Sequence, residues 1–163
     1  MTKTKVLFVC LGNICRSPLA EAIFKAKISK KGFDHLIEAD SCGTANYHIG
    51  HTPDPRTITN ARKNGVEIAH LGKQFSDQHL AEYDFILAMD QSNYNDIMRL
   101  EGAAVHTQKI SLMRSFDLER DDDTVPDPYY GNEQEFQRVF EILDRSVDYF
   151  IKFLVREKVL KLE

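Results

Sequence analysis

The sequence predicts a doubly wound α/β fold in which helices flank a four-stranded parallel sheet. Three observations support this prediction. Short apolar runs of strand length alternate along the chain with segments of helical periodicity. The first run leads through a Gly-Asn pair into a helix signal, and the C-terminal part carries one long amphipathic pattern. Strands that alternate with helices are joined by right-handed crossovers, so neighbouring strands are expected to be parallel.

The four predicted strands have ordinary strand lengths and are bounded by polar or turn residues. They are Lys5–Cys10, Ile37–Ser41, Phe85–Met89 and Lys109–Leu112. The first and third are nearly continuous apolar runs, as expected of strands that are buried on both faces. Because ligands bind beyond the carboxyl ends of parallel strands, functional residues are expected near Cys10 and Asp90.

Capping residues mark the predicted helices between and after these strands. Ser17 suits the N-cap of the first helix, and Pro18 suits its first helical position, where a missing N–H costs nothing. A second helix is predicted from Asp54-Pro55 to Asn64-Gly65, and a third begins near Ser92. The last predicted helix begins after Asn132, which forms a capping-box pattern with Glu135. The polar segment from Met113 to Gly131 is expected to be a loop.

Length and composition narrow the class of protein. The 163 residues predict a single domain spanning residues 1–163, which needs no disulfide or metal to fold. A net charge of −4 argues against nucleic acid as the main partner, because that role needs an excess of Lys and Arg. No apolar run approaches the roughly 20 residues of a membrane span, and no signal peptide is apparent. Three cysteines are too few for a disulfide framework, so a cytoplasmic protein with free thiols is expected.

The segment Cys-Leu-Gly-Asn-Ile-Cys-Arg-Ser-Pro, residues 10–18, joins the first predicted strand to a helix N-terminus. Backbone N–H groups in such a loop can converge on one anion, and the helix dipole adds positive potential. Gly12 permits a backbone with positive φ, and Asn13 tolerates one. Arg16 offers a planar fork that matches two phosphate oxygens, and the same positive field favours a thiolate at Cys10.

These residues predict a phosphate-binding loop with a nucleophilic cysteine. The alternative is that Cys10 is a buried structural thiol. Two rival motifs are missing from the sequence: the G-x-x-x-x-G-K-[ST] loop of nucleotide-binding proteins, and the C-x-x-C pair of thiol exchange or zinc binding.

The sequence closely resembles the low-molecular-weight protein tyrosine phosphatase family over essentially its whole length. The resemblance is carried by residues 9–21, 50–56, 89–93 and 125–131. It implies a cofactor-independent enzyme that hydrolyses phosphotyrosine in proteins, and small aryl phosphate monoesters, through a phosphocysteine. Position by position, it implies that Cys10 is the nucleophile, Arg16 the phosphate clamp and Asp127 the general acid and base. The four-stranded parallel sheet of the family agrees with the fold predicted from the residues.

Asp127 lies between Pro126 and Pro128, which stiffen the chain on both sides. Asp-Pro is also ordinary turn chemistry, so the residues alone leave a structural role open. The resemblance places Asp127 over the mouth of the loop, where a carboxyl group can protonate the leaving oxygen.

The resemblance also implies which residues line the pocket and which support it. The expected substrate-binding residues are Leu11, Gly12, Asn13, Ile14, Cys15 and Ser17 in the loop, and Tyr47, His48, Tyr129 and Tyr130 around it. Aromatic walls suit phosphotyrosine, whose length lets its phosphate reach a deep thiolate. Ser41 and His70 match a polar network that holds the loop. Asp90 is expected either to support the loop or Arg16, or only to cap the next helix.

Two further residue pairs allow alternative interpretations. His48 and His51 have the spacing of a possible metal pair, but with no further ligand at suitable spacing a solvated loop is favoured, and no metal site is expected. Cys15 lies in the same tight loop as Cys10, and it is expected to capture an oxidised Cys10 as a disulfide, which makes the enzyme redox-sensitive. The alternative is that Cys15 only packs beneath the loop.

Three rival functions were weighed against a tyrosine phosphatase. A thioredoxin-linked arsenate reductase needs further cysteines downstream, and no cysteine follows Cys42. A protein-arginine phosphatase typically carries Thr at the position of Ile14. A phosphotyrosine-binding module without activity would not need Asp127. The expected partners are phosphotyrosyl proteins, while the physiological substrate and the state of oligomerisation stay open.

Overall fold

The computed structural model describes residues 2–161 and contains one four-stranded, all-parallel sheet. The strands are β1 (Thr4–Cys10), β2 (Ile37–Gly43), β3 (Phe85–Ala88) and β4 (Ile110–Leu112), in the order β2-β1-β3-β4. The predicted fold class is confirmed. Residues 1, 162 and 163 of the predicted single domain lie outside the described residues.

In the described part of the chain, five α-helices and two 3₁₀-helices connect and follow the strands. The α-helices are α1 (Arg16–Lys30), α2 (Pro55–Lys63), α3 (Asp77–Glu82), α4 (Gln91–Met98) and α5 (Glu133–Arg156). The 3₁₀-helices span Ala103–Lys109 and Met113–Phe116. None of the helices within residues 2–161 has the length and apolar character that crossing a bilayer requires.

Strand β1 is the centre of the sheet and separates two apolar cores. Its residues Val6 and Phe8 point to the larger core, in which α1 and α5 contribute Phe24 and Phe150. Leu7 points to the opposite face, together with residues of α3 and α4. Cys10 has the same parity as Phe8 and belongs to the larger core, because side chains alternate along a strand. The first predicted active residue is therefore anchored at the end of the most buried strand.

Most predicted element boundaries agree with the structure to within one or two residues, but the start of α1 was predicted incorrectly. The helix begins at Arg16 with Cys15 as the N-cap residue, so Ser17 is inside the first turn. The hydroxyl of Ser17 contacts Cys10 and Asn13 and does not cap the helix. Pro18 still occupies the first turn, where its missing N–H is tolerated.

The sequence also missed α3 and the two 3₁₀-helices. Helix α3 has six residues and buries only Leu80, so it is too short to show a helical period. The predicted loop from Met113 to Gly131 contains the short 3₁₀ turn at its start. The predicted caps Asp54 and Asn132 are confirmed, because their side chains accept hydrogen bonds from the first turns of α2 and α5.

A buried polar cluster connects α1 and β2 to the segment after β1. Glu21 of α1, which is 3% exposed, accepts a hydrogen bond from the Ser41 hydroxyl at 2.7 Å and lies 3.2 Å from His70 Nδ1. His70 Nε2 lies 2.6 Å from Asn13 Oδ1, and Asn13 Nδ2 donates to Ser41 at 3.0 Å. Lys25 donates to the second oxygen of Glu21. The cluster therefore holds the side chain of Asn13 from two directions.

Glu21 is held in its charged form within this cluster. Burial opposes the charged form, but hydrogen bonds from His70, Lys25 and Ser41 outweigh it and lower the pKa of Glu21 below its ordinary value of 4.5. A carboxyl group with a lowered folded-state pKa stabilises the fold above its unfolded pKa. That contribution is lost as pH falls through the lower, folded-state pKa.

We predict that Glu21→Gln lowers the free energy of unfolding by about 1–3 kcal/mol at pH 7, because a buried charged hydrogen-bond acceptor is lost. The difference from the wild type should shrink as pH falls below the ordinary pKa of 4.5. Urea unfolding between pH 3 and pH 7 measures this, with Glu101→Gln as an exposed control. A difference that stays constant across this range would show that the charge of Glu21 is not what stabilises the cluster.

Candidate active site

The loop of residues 11–15 leaves the carboxyl end of β1 and enters the first turn of α1. Its one left-handed residue is Asn13, with φ of 56°, and Gly12 does not have a positive φ. Of the two residues that the sequence marked as able to adopt a positive φ, Asn13 does so and Gly12 does not. Gly12 instead gives space, because a Cβ there would lie 3.2 Å from the ring of His48. The left-handed turn falls on Asn13, whose side chain the polar cluster already holds.

Cys10 lies at the base of this loop and is 3% exposed. Its Sγ lies 3.0 Å from the Ser17 hydroxyl and accepts a hydrogen bond from the Asn13 N–H at 3.3 Å. Asn13 Nδ2 also donates to the Ser17 oxygen, so the single proton of that hydroxyl remains to be donated elsewhere. The sulfur is its nearest acceptor, since the Cys42 carbonyl lies farther away at 3.4 Å. The sulfur can thus accept hydrogen bonds from both Ser17 and Asn13.

Arg16 is 3% exposed and connects three parts of the chain. Its Nη1 donates to Asp90 at 2.6 Å and to the Val125 carbonyl at 2.9 Å. Burial opposes its charge, but the negative groups Cys10, Asp90 and Asp127 together raise the pKa of Arg16 above its ordinary value. The guanidinium is therefore a fixed positive charge beside the sulfur of Cys10.

Asp90 performs both of the tasks that the sequence left as alternatives. One of its oxygens accepts the hydrogen bond from Arg16, and the other accepts one from the Asn93 N–H at 2.8 Å, which caps α4. A single carboxylate thus links the end of β3, the first turn of α4 and the buried guanidinium.

Asp127 lies on the segment that follows the Val125 carbonyl, and its side chain is 48% exposed. One of its oxygens lies 3.8 Å from Arg16 Nη2, and the other accepts a hydrogen bond from the Tyr129 N–H at 3.1 Å. The carboxyl group is therefore held near the guanidinium while it remains open to solvent.

These residues surround one cavity of about 300 Å³. Its lining comes from the loop, from the segment after β2 and from the segment around Asp127: Cys10, Leu11, Gly12, Ile14, Cys15, Arg16, Tyr47, His48, Asp127, Tyr129 and Tyr130. Of the ten residues expected to bind substrate, Asn13 and Ser17 are not in this lining. Both are buried behind the loop, and their contacts are those to Cys10 and to the polar cluster described above.

Sequence reasoning assigned no role to Arg56, although the segment 50–56 was part of the resemblance. Arg56 donates to the Asp54 carboxylate through Nε and Nη2 and to the Tyr129 carbonyl at 2.9 Å. Its guanidinium lies over the rings of Tyr129, at 5.4 Å, and Phe136, at 4.7 Å. The Asp-Pro-Arg motif was the available signal. Arg56 thus ties the start of α2 to the segment that carries Asp127.

The other two cysteines differ from Cys10 in their surroundings. Burial raises the pKa of Cys15 to about 12, and burial also raises the pKa of Cys42 well above its ordinary value. Both are therefore thiols at neutral pH. Cys15 lines the cavity together with Cys10, whereas Cys42 lies in the core on the other side of the sheet.

Within residues 2–161, Glu21, Asp40 and His70 form the one group of three possible metal ligands. Lys25 bonds to Glu21 and Lys73 bonds to Asp40, so ammonium groups already neutralise both carboxylates. This group is therefore a poor site for a cation. Its Glu21 and His70 instead belong to the polar cluster that holds Asn13.

Comparison with known proteins agrees with this geometry. The model of the family described as low molecular weight phosphotyrosine protein phosphatase matches residues 5–160. The low molecular weight phosphotyrosine protein phosphatase of Saccharomyces cerevisiae is 40% identical over 161 aligned positions, which cover 95% of this chain and 96% of the yeast protein.

Two solved structures extend the comparison. A protein tyrosine phosphatase from Entamoeba histolytica superposes with a TM-score of 0.89 at 36% identity and covers 97% of this chain and 100% of that one. An arginine phosphatase from Drosophila superposes with a TM-score of 0.84 at 31% identity. The superposition covers 93% of this chain and 98% of the Drosophila chain. By the family match over residues 5–160 and by its relatives, the chain belongs to the low molecular weight protein tyrosine phosphatases, which are hydrolases.

Proposed function

We propose that this phosphatase, acting as a single domain of residues 1–163 in the cytoplasm, hydrolyses phosphotyrosine in proteins and small aryl phosphate monoesters. The reaction proceeds through a phosphocysteine at Cys10. The observation that carries the proposal is the position of the Cys10 sulfur, at the base of a cavity between a buried guanidinium and the N–H groups of a loop. Three cysteines that form no disulfide support a reducing compartment.

In the first step the thiolate of Cys10 attacks phosphorus, and the bond from phosphorus to the leaving oxygen breaks. The leaving phenolate takes a proton from the neutral carboxyl group of Asp127, so a phenol departs. Nη1 of Arg16 is already occupied by Asp90 and Val125, and the protons on Nε and Nη2 can bind two phosphate oxygens. The negative charge of the transferring group is thereby balanced by a cation that does not need to move.

In the second step water attacks the phosphocysteine and the sulfur–phosphorus bond breaks. Asp127, now a carboxylate, accepts a proton from the water, and phosphate and the Cys10 thiolate are released. The hydroxyl of Ser17 lies 3.0 Å from the sulfur, so it can stabilise the thiolate as it leaves.

The rim of the cavity favours an aromatic substrate. Tyr129 and Tyr130 meet edge to face with ring centres 4.9 Å apart. Tyr47, which is 68% exposed, also lines the cavity. Such rings can flank the phenyl ring of phosphotyrosine while its phosphate reaches the loop. The arginine phosphatase among the similar structures makes phosphoarginine the second candidate substrate, and Ile14 in the cavity lining is the residue that argues for phosphotyrosine.

We further propose that Cys15 protects Cys10 from irreversible oxidation. Both cysteines line one cavity, and Cys15 remains a thiol because burial raises its pKa to about 12. If an oxidant such as peroxide converts Cys10 to a sulfenic acid, the Cys15 sulfur can attack the Cys10 sulfur. The proton of Cys15 passes to the departing hydroxyl, which leaves as water, and a disulfide is formed. A thiol reductant then restores both cysteines.

We predict that Cys10→Ser abolishes hydrolysis of p-nitrophenyl phosphate while vanadate or tungstate still binds, because the loop and Arg16 remain. The assay is run with EDTA present, and oxyanion binding is measured by calorimetry. Cys42→Ala, which removes a thiol outside the cavity, is the control and should keep turnover. Activity of Cys10→Ser within tenfold of the wild type would exclude Cys10 as the nucleophile.

We predict that Asp127→Asn slows aryl phosphates in proportion to how poor their leaving group is. Proton transfer contributes about 10²–10⁴-fold for a poor leaving group and little for an activated one. The measurement is kcat/KM across a series of substituted phenyl phosphates, with the exposed Asp122→Asn as control. An equal loss across the series would remove Asp127 from the role of acid.

We predict that peroxide inactivates the wild type reversibly, whereas Cys15→Ser recovers poorly after treatment with a thiol reductant. The cause is that the sulfenic acid of the variant lacks a partner and is oxidised further. Activity is measured before peroxide, after peroxide and after reduction, and phosphate should protect both proteins. Equal recovery of the two proteins would show that Cys15 is not the thiol that captures oxidised Cys10.

A further inference from the structure

The segment His48-Ile49-Gly50-His51 forms a tight turn at the rim of the active-site cavity. The His51 N–H donates to the His48 carbonyl at 3.0 Å, and Gly50 has a positive φ of 78°, as the third residue of such a turn often requires. Gly72 fixes the turn through two backbone hydrogen bonds of 2.8 Å: its carbonyl accepts from the Gly50 N–H, and its N–H donates to the His51 carbonyl. The backbone positions of the two histidines are therefore fixed relative to each other.

The two imidazoles point towards each other across this turn. His48 Nδ1 and His51 Nδ1 lie 3.4 Å apart, with His48 half-buried and His51 exposed. Two neutral rings at this distance share one hydrogen bond, in which one Nδ1 carries a proton and the other accepts it. The two Nδ1 atoms therefore face one small volume that is open to solvent.

The distance between the two nitrogens matches a tetrahedral metal ion. With zinc–nitrogen bonds of about 2.0–2.1 Å and a tetrahedral angle, two histidine nitrogens on one zinc ion lie about 3.3–3.4 Å apart. The right angle of a square-planar or octahedral ion would bring the same nitrogens to about 2.8–3.0 Å. The observed separation of 3.4 Å is therefore compatible with two ligands of one tetrahedral zinc ion.

We propose that His48 and His51 form a binding site for Zn²⁺, with both Nδ1 atoms as ligands and water in the remaining two positions. The proton shared between the two Nδ1 atoms moves to Nε2, so both rings stay neutral and no proton is released. The turn is held by its backbone before the metal arrives, which lowers the entropic cost of binding. The sequence analysis favoured a solvated loop for His48 and His51. The reason to propose a metal site is that their side chains meet in the structure.

The site is separate from the phosphate-binding loop. The Cδ2 and Nε2 edge of the His48 ring faces Gly12, since a Cβ on that glycine would lie 3.2 and 3.8 Å from these atoms. Nδ1 is at the opposite vertex of the ring, so the metal lies on the side away from the loop. With zinc on Nδ1, Nε2 carries the proton, and His48 becomes a hydrogen-bond donor on the side of the cavity.

The test must separate this site from the Cys10 thiolate, which can bind zinc on its own. We therefore titrate Zn²⁺ by calorimetry into untagged, full-length Cys10→Ser protein and compare it with the same protein carrying His48→Gln or His51→Gln. His35→Gln, which removes another exposed histidine, is the matched control. We expect one zinc ion per chain in Cys10→Ser and in the control, and at least a tenfold loss of affinity in each of the two site variants.

Cobalt(II) supplies a second readout, because its visible absorption is strong in tetrahedral sites and weak in octahedral ones. We expect the strong tetrahedral spectrum with Cys10→Ser and its loss with His51→Gln. Zinc affinity that is unchanged by His48→Gln and His51→Gln, or the absence of binding in Cys10→Ser, would overturn the proposal. Thermal unfolding of each variant without metal shows that the exposed substitutions leave the fold intact.

Discussion

The buried guanidinium of Arg16 is the interaction on which the arrangement of the site depends. It comes from the first turn of α1, and it binds Asp90 after β3 and the Val125 carbonyl in the segment that carries Asp127. A buried cation without partners would cost several kcal/mol, so this charge requires the three segments to meet at one place. The carboxyl ends of two neighbouring strands and the segment that contains Asp127 are thus held together by one side chain.

The opposite side of the loop depends on Asn13. Its left-handed backbone would be unfavourable for most residues, and its side chain makes up for this through contacts with Ser17, Ser41 and His70. The same side chain leaves the Ser17 proton directed at the Cys10 sulfur. The backbone conformation of the loop and the hydrogen bonds to the Cys10 sulfur therefore belong to one connected set of hydrogen bonds, which ends at Glu21.

The sequence predicted the fold class and brought Cys10, Arg16 and Asp127 together because each lies in a short motif with its own local signal. The roles of Glu21 and Arg56 were missed, because their contacts with Ser41, His70 and Tyr129 join residues that are distant in the sequence. For Arg56, the Asp-Pro-Arg motif gave the one local signal. Ser17 was misplaced for a related reason: its local sequence suits a helix cap, but the tertiary contact with Cys10 uses its hydroxyl instead. The paired ring nitrogens of His48 and His51 likewise depend on a turn that Gly72 holds from a distant segment.

Two arginines hold the segment of Asp127 at its two ends. Arg16 binds the carbonyl of Val125, Arg56 binds the carbonyl of Tyr129, and Asp127 lies midway between these two positions. The prolines on either side of Asp127 restrict the backbone between the two hydrogen bonds. These hydrogen bonds and the prolines therefore hold the backbone on both sides of Asp127. Its carboxyl group lines the cavity 3.8 Å from Arg16 Nη2 and stays open to solvent.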